Sequence, residues 1–463
     1  MPRRPKNALL AGLLVDAGWS SGELARAVNA QGALHGVALR YDRTSVAHWL
    51  AGSRPRPPVP GLAAASFSQR LGRAVTAYET GLAVPPDAPE PAGDTPADAS
   101  RRLLDLLVLE GDPVAGAGLR GVPFSPADAA APRPWALPPG GRARAAEPGA
   151  GRAVAADAEC LAEAAQAFAA LGDRMGGVPV RGALLAYVRD AAGHLLTAGA
   201  SAPVRRDILL RTAQLAHLLA RVTTESGWHG LAQHYFDAAA GLAREGGDQR
   251  QFAITLRAMS LQALAFGHEA QAHHLAEAAL AALGPRAEEP ATRSFLHGQH
   301  ALTLAVRGDR QRAVTELLRA EHHHAHATAA PGPFSSYPRA GLEYQRARVL
   351  HVLGDEEQAV SALRSAAAHR APEQRHPYAL VHARLAEAQL RVGYLEEACA
   401  SWHVFLDQYA HLRSAQVDRA LRRLRQRLRS FPGHPQAREA LDRAGDLART
   451  GRAPFAGTAA RIG

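Results

Sequence analysis

Five glycines, Gly227, Gly267, Gly308, Gly354 and Gly393, stand 40, 41, 46 and 39 residues apart. Five residues after each lies an alanine: Ala232, Ala272, Ala313, Ala359 and Ala398. Seven residues before each lies a small side chain: Ala220, Ser260, Ala301, Ala347 and Ala386. Twelve after, four of the five are alanine (Ala239, Ala279, Ala320, Ala366), and Phe405 is the exception. A unit of about 40 residues cannot bury its apolar face alone, so such a chain has to stack its units on one another. The pattern small–x6–Gly–x4–Ala–x6–Ala has a direct cause. Two antiparallel helices joined by a tight turn need glycine at the turn and small side chains where the rods come closest. Hydrophobic residues make up 47% of the chain but aromatics only 5%, so the core is built from Ala, Leu and Val. That composition suits helices and argues against an all-β fold.

The spacing resembles the tetratricopeptide repeat, and "Gly308-Asp309-Arg310-Gln311-Arg312-Ala313" and "Gly354-Asp355-Glu356-Glu357-Gln358-Ala359" look like its turn. The period averages about 41 residues against the family's roughly 34, which predicts longer loops between repeats. The bulky Trp and Tyr of that family are mostly missing. Helices over 157–172 and 179–197 read as an irregular cap, and helices over 414–430 and 435–449 as a basic end cap. The expected fold is all-α: a small N-terminal helix-turn-helix domain (1–82), a Pro/Gly-rich linker with one short docked element around 103–109 (83–150), a TPR-like α-solenoid (151–450) and a tail (451–463).

Net charge is +10 over 463 residues, unevenly spread. Residues 1–82 carry ten Lys/Arg against four acids, and residues 413–463 carry twelve Arg against four acids, leaving the middle at −4. Clustered charge is what polyanion affinity needs. Lys6 is the only lysine, so the arginine abundance also reflects a composition bias that says little about function.

In the basic head, Asn7 to Ala17 predicts a helix with Leu10, Leu13, Leu14 and Ala17 on one face, stopped by Gly18. Ser20 and Glu23 then form a capping box for a second helix reaching about Asn29 and burying Leu24, Ala25 and Val28. A third starts at Asp42 or Thr44 and ends at Gly52, with Val46, Trp49 and Leu50 inward. Its outward residues Arg43, Thr44, Ser45 and His48 are the candidate base-reading groups, and Arg54 and Arg56 the candidate phosphate grips. About twelve residues, 30–41, separate helices two and three, where a repressor-type motif has a few. They would form a hairpin or wing, or prevent ordinary groove docking; the alternative to DNA contact is that the three helices form only a small packing or dimerisation module.

"Leu14-Val15-Asp16-Ala17-Gly18-Trp19-Ser20" with "Glu23-Leu24-Ala25" resembles the first half of a repressor-type helix-turn-helix. "Tyr41-Asp42-Arg43-Thr44-Ser45-Val46-Ala47-His48-Trp49-Leu50-Ala51-Gly52" with Pro55 resembles its recognition helix. Together with the Pro/Gly-rich middle and the repeats, the chain resembles NsdA-like actinobacterial regulators. The resemblance implies DNA-linked or protein-linked gene regulation, usually repression of development, including sporulation, or of antibiotic and other secondary metabolism; double-stranded DNA is the expected partner. The alternative is a scaffold that grips a sigma factor or another regulator without reading DNA.

Catalytic signatures are not found: no Gly-x4-Gly-Lys-Ser/Thr loop, His-Glu-x-x-His, Gly-x-Ser-x-Gly or Cys-x-x-Cys, so no enzyme and no cofactor are expected. His322 and His326 have metal-ligand spacing on a helix but no evident further ligand, and read as a solvated helix end; His273, His274, His297 and His300 read as surface residues. The run Arg419 to Arg429 threads Leu421, Leu424 and Leu428, as a basic capping helix or a contact for DNA or an acidic partner. Tyr344 and Arg348 are the candidate partner-binding residues of the repeat groove. Two cysteines and no membrane-spanning or signal segment point to a cytoplasmic protein. A homodimer joined through the array or the 103–109 element would place two heads on one site.

Overall fold

The computed structural model describes residues 7–35, 37–71, 75–77, 79–83, 99–126, 152–284, 289–328, 334 and 337–449. Among them it is all-helical, with one isolated bridge between Arg152 and Gly199. The N-terminal helices are α1 (Ala8–Ala17), α2 (Ser21–Leu34), α3 (Arg43–Leu50) and α4 (Val59–Leu71). Asn7 caps α1, and Gly18, at φ 62°, closes it. Ser20 and Glu23 make the expected reciprocal capping box on α2. Leu10, Leu13, Leu14, Leu24, Val28, Val46, Trp49, Leu62 and Phe67 form one core. Helix α4 is buried almost all round, from Val59 to Ser68, which marks it as an internal rod rather than a surface one.

The second helix corrects the sequence expectation. It continues past Asn29 to Leu34, so eight residues, not twelve, lead to α3, and the described ones form no hairpin or wing. Gln31 and Gly32 are buried, and a Cβ on Gly32 would stand 2.7 Å from Leu39 Cδ1, so the returning segment packs on the helix's last turn. Asn29 braces it further: its Nδ2 donates to Tyr41 O at 2.8 Å and its Oδ1 accepts from Tyr41 N at 2.9 Å.

Next come α5 (Ala99–Gly111), α6 (Pro113–Arg120), α7 (Ala155–Met175), α8 (Gly177–Tyr187), a π-helical turn (Val188–Ala192) and α9 (Gly193–Thr197). The hairpins follow: α10 (Ala202–Glu225), α11 (His229–Glu245), α12 (Gln249–Ala265), α13 (Glu269–Leu283), α14 (Pro290–Val306), α15 (Arg310–Ala325), α16 (Arg339–Val352), α17 (Glu356–Ala368), α18 (Arg375–Arg391), α19 (Leu395–Tyr409), α20 (Ala415–Leu428) and α21 (Pro435–Arg449). Each of the five repeat glycines sits at a hairpin turn with φ between 76° and 89°. The residue after it donates to a carbonyl five back: Trp228 to Thr223, His268 to Ala263, Asp309 to Leu304, Asp355 to Leu350 and Tyr394 to Gln389. That is the Schellman closure, and it is why only glycine serves there. Every small residue of the pattern is at most 2% exposed, as the close approach of paired rods requires.

Longer loops explain only part of the long period. Loops lengthen after α13, α15 and α17, but α11 and α12, 17 residues each, are joined through Gly246–Asp248 alone, so longer helices make up the spacing there. The two cysteines are free, Cys160 exposed and Cys399 buried.

The chain divides into two compact units: Met1–Ala165 with Leu185–Glu288, and Gln166–Leu184 with Glu289–Gly463. In the first, the head, α5 and α6 pack on the hairpins α10–α11 and α12–α13. In the second, Trp402, Phe405, Leu406, Leu421, Leu424 and Leu428 anchor the basic end cap to α18 and α19.

Candidate functional site

Helix α3 begins at Asp42, whose carboxylate accepts from Ser45 N and from Ser45 Oγ, both at 2.9 Å. Those backbone and side-chain hydrogen bonds from Ser45 hold the Asp42 carboxyl below its usual range. Val46 and Trp49 are buried, with Trp49 edge-on to Tyr41 at 5.1 Å. Arg43, Thr44, Ala47 and His48 are exposed, as are Arg54 and Arg56 just beyond the helix. Five of the six expected contact residues are therefore exposed. Ser45 differs: it is half-buried and its hydroxyl proton closes the cap, so its place is to set the helix start.

A second cluster, where the end of α2 meets the turn between α12 and α13, is not predicted by the sequence. His35 follows α2 and stacks on Phe266 at 4.6 Å, with His229 edge-on at 6.0 Å. Phe124 stacks on the same Phe266 at 5.3 Å and lies 5.5 Å from His268. Phe124 N donates to His35 Nε2 at 3.3 Å, so the imidazole carries its proton on Nδ1, 2.8 Å from Gln31 O. Beside it Gln31 Nε2 donates to Gln69 Oε1 at 2.9 Å, and Gln69 packs against Gly267, where a Cβ would stand 2.4 Å away. The head thus rests on the turn between α12 and α13. Burial lowers the pKa of His35, and burial with the nearby His35 charge pushes His268 down to about 4, so both rings are neutral at pH 7. The readable signal was the turn composition: Gly227-Trp228 and Phe266-Gly267-His268 carry aromatic rings where Gly308 and Gly354 are followed by aspartate.

The strap that closes this contact comes from within 83–150. Leu103 and Leu107 of α5 are buried, and Glu110 accepts from Tyr235 Oη. Ser125 exchanges two hydrogen bonds with Gln233, at 3.0 and 2.7 Å. Gly230 lies directly beneath, where a Cβ would stand 2.3 Å from Val122 O and 2.6 Å from Pro123 O. Gly230→Ala is accordingly expected to lift residues 122–125 although alanine is the better helix former. Hydrogen exchange at Phe124 and Ser125 should rise at least tenfold with α20 unchanged; equal protection would show that the strap yields without releasing.

In the second unit, His297 and His300 correct the expectation of surface histidines. His300 is buried and His297 half-buried, because both lie on the face of α14 turned to α15, where Glu316 Oε2 accepts from them at 2.6 and 3.1 Å. Burial by itself would raise the Glu316 carboxyl; the two imidazoles outweigh it and hold it far below the usual range. His322 and His326 are exposed at the end of α15, with His326 Nδ1 on His322 O at 2.8 Å. His274 is exposed and His273 half-buried beside Glu277 at 3.3 Å. Tyr344 and Arg348 are half-buried on α16. On α20, Leu421, Leu424 and Leu428 are buried, Arg422 and Arg427 are exposed, as is Arg429 at its C-cap, and Arg423 pairs with Glu387 at 2.6 Å.

Residues 10–83 match the family model of the SP15 N-terminal domain, a span that coincides with α1–α4 and covers about a sixth of the chain. The chain matches no curated protein. Among the described residues, no helix is long and apolar enough to cross a membrane.

Proposed function

We propose that this chain is a cytoplasmic, non-catalytic transcriptional regulator that reads double-stranded DNA with α3 and takes a protein or peptide partner on its helical repeats. The observation that carries the reading is the outward face of α3. Arg43, Thr44 and His48 are exposed on a short helix held from below by Val46 and Trp49; Arg54 and Arg56, exposed just beyond it, would grip flanking phosphates. The head's contact with the turn between α12 and α13 is made through His35 and Gln69, and Arg43, Thr44 and His48 are exposed. The resemblance to NsdA-like regulators adds the biological direction, repression of development or secondary metabolism. A single small head buries little surface, so a homodimer on a two-fold site is part of the proposal.

The test is binding selection from a random duplex library by the full chain, followed by fluorescence anisotropy on the selected site. Arg43→Ala and His48→Ala should each weaken binding by about 1–3 kcal/mol and relax preference at one position. Arg54→Ala and Arg56→Ala should weaken all sequences alike and lower the salt slope by about one each. Ser45→Ala should lower stability modestly, since the hydroxyl's bond to Asp42 is lost while the backbone N–H of residue 45 still donates to it, and should leave preference intact. Failure to enrich any sequence would turn the assignment to the second reading, a scaffold for a sigma factor or another regulator. The eight-residue connection between α2 and α3, longer than a repressor-type turn, is the feature that favours it.

A further inference from the structure

Helix α20 buries one face and offers the other to solvent. Val417, Ala420, Leu421, Leu424 and Leu428 lie in the core of the end cap. At about 3.6 residues per turn, Arg422, Arg425 and Arg429 fall along one side of that stripe, and Arg427 along the other. Arg422 and Arg429 are exposed and Arg425 is half-buried. A rise of about 1.5 Å per residue spreads the three over roughly 10 Å of helix. The leucines fix the helix, and the helix fixes the spacing of its arginines.

Those three cations have no carboxylate. From Arg419 to Arg438 the sequence holds seven arginines and neither Asp nor Glu. The acids nearby are engaged elsewhere: Glu387 pairs with Arg423 at 2.6 Å, Asp407 pairs with Arg443 at 2.5 Å, and Asp418, the one acid on α20, accepts from Tyr409 Oη at 3.1 Å. Along the preceding hairpins the same residue type is matched, as in Arg310 with Asp355 at 2.7 Å and Arg391 with Glu356 at 3.0 Å. Among the described residues, Arg422, Arg425, Arg427 and Arg429 enter no ion pair. The dipole of α20 favours Arg425 and Arg427 in its last turn but gives Arg422 no such support. Like charges crowded on one helix without counter-charges repel one another, and an incoming polyanion relieves that repulsion.

The surroundings select the kind of polyanion. Among the described residues from 395 to 449, no large apolar side chain is exposed. A protein partner takes its affinity from buried aromatic or aliphatic anchors, and this surface offers them no seat. A duplex needs none: it presents one charge per about 1.7 Å of a stiff rod, and guanidiniums match its phosphates two bonds at a time. We propose that Arg422, Arg425 and Arg429 form a contact for the phosphate backbone of double-stranded DNA, adding affinity without regard to base sequence. This goes beyond the reading of α3 and holds whether or not α3 touches DNA.

The probe is a short fluorescein-labelled duplex of arbitrary sequence, titrated with the full chain and followed by anisotropy between about 50 and 200 mM salt. Arg422→Gln should lower the slope of log affinity against log salt by about one, and Arg422→Lys should leave it near wild type. Arg422→Gln, Arg425→Gln and Arg429→Gln together should lower it by about three and weaken binding at least about tenfold. Arg427→Gln, on the other side of the leucines, and Arg312→Gln, paired with Asp309 at 3.6 Å, should change it less than Arg422→Gln does. All variants should melt at the wild-type temperature, because none of these arginines is part of the core. No binding by the wild type, an unchanged slope in the triple variant, equal loss in Arg427→Gln, or stronger displacement by a polyglutamate peptide than by unlabelled duplex would overturn the proposal. The same proteins are assayed on the selected duplex. A triple variant that keeps sequence preference and the full slope removes this contact and leaves the reading of α3 standing. Arbitrary-duplex binding that needs α20, with no preference for any sequence, does the reverse.

Discussion

Trp402→Ala is expected to cost about 3–5 kcal/mol and to loosen the basic end cap as a whole. Trp402 is completely buried on α19, edge-on to Phe405 at 5.4 Å, in the cluster that also holds Leu421, Leu424 and Leu428. Alanine would leave a cavity under α20, and the helix that carries the arginine run would lose its floor. Its indole Nε1 is buried without a hydrogen-bond partner. Removing an unsatisfied donor recovers about 1–3 kcal/mol of desolvation, which offsets much of the volume lost to phenylalanine. Trp402→Phe should therefore stay within about 1.5 kcal/mol of wild type. Denaturant unfolding followed by exchange at α20 and α21 checks both. A tolerated alanine, or phenylalanine as harmful as alanine, would mean that the cap is held elsewhere.

The contrast between what the sequence discloses and what it withholds has a physical basis. Gly227 to Gly393 are legible because a positive φ admits almost no other residue, and the alanines around them because close rods exclude larger ones. Leu10, Leu13, Leu14 and Ala17 are legible because a helix repeats every 3.6 residues. The open face of α3 follows from the same periodicity, since fixing Val46 and Trp49 inward leaves Arg43, Thr44, Ala47 and His48 outward. Periodicity, however, reports that a face is covered and not by what. Helix α2 overran its expected end because Gln31 and Gly32, a polar residue and a glycine, are buried by Leu39 and Gln69 from outside the helix. His297 and His300 looked like surface residues for the same reason: the carboxylate that satisfies them, Glu316, lies on the next helix. The contact of His35 with Phe124 and Phe266 joins positions far apart in the chain, and no local pattern encodes such a meeting.

That contact should yield to acid. The docked state holds His35 with Nδ1–H toward Gln31 O and Nε2 accepting from Phe124 N; a second proton on Nε2 would face a donor. His268 is 6% exposed beside Phe124 and is pushed down to about 4, first by burial and then by the charge of His35. The remaining ring in the cluster is His229, edge-on to Phe266 at 4.7 Å. Depressed histidine pKa values mean that the undocked state binds more protons than the docked one below pH 6.5. Docking is therefore at full strength above that pH and weakens as pH falls, until about pH 4, where His268 is charged in both states. For His268 alone the loss is about 2 kcal/mol at pH 5 and about 3 kcal/mol below pH 4. Exchange at Phe124, Ser125 and the Phe266–His268 turn, corrected for intrinsic rates, should rise about 30-fold from pH 7.5 to 5, the equivalent of that 2 kcal/mol. His268→Gln should flatten most of the profile and His35→Gln part of it. Because His35 opens the segment that leads to α3, loss of docking should also change how α3 is presented, and on the proposed reading a selected duplex should bind with a pH dependence that His268→Gln removes. A profile that is the same in wild type and His268→Gln would place the acid response elsewhere and leave the turn between α12 and α13 a static rest for the head.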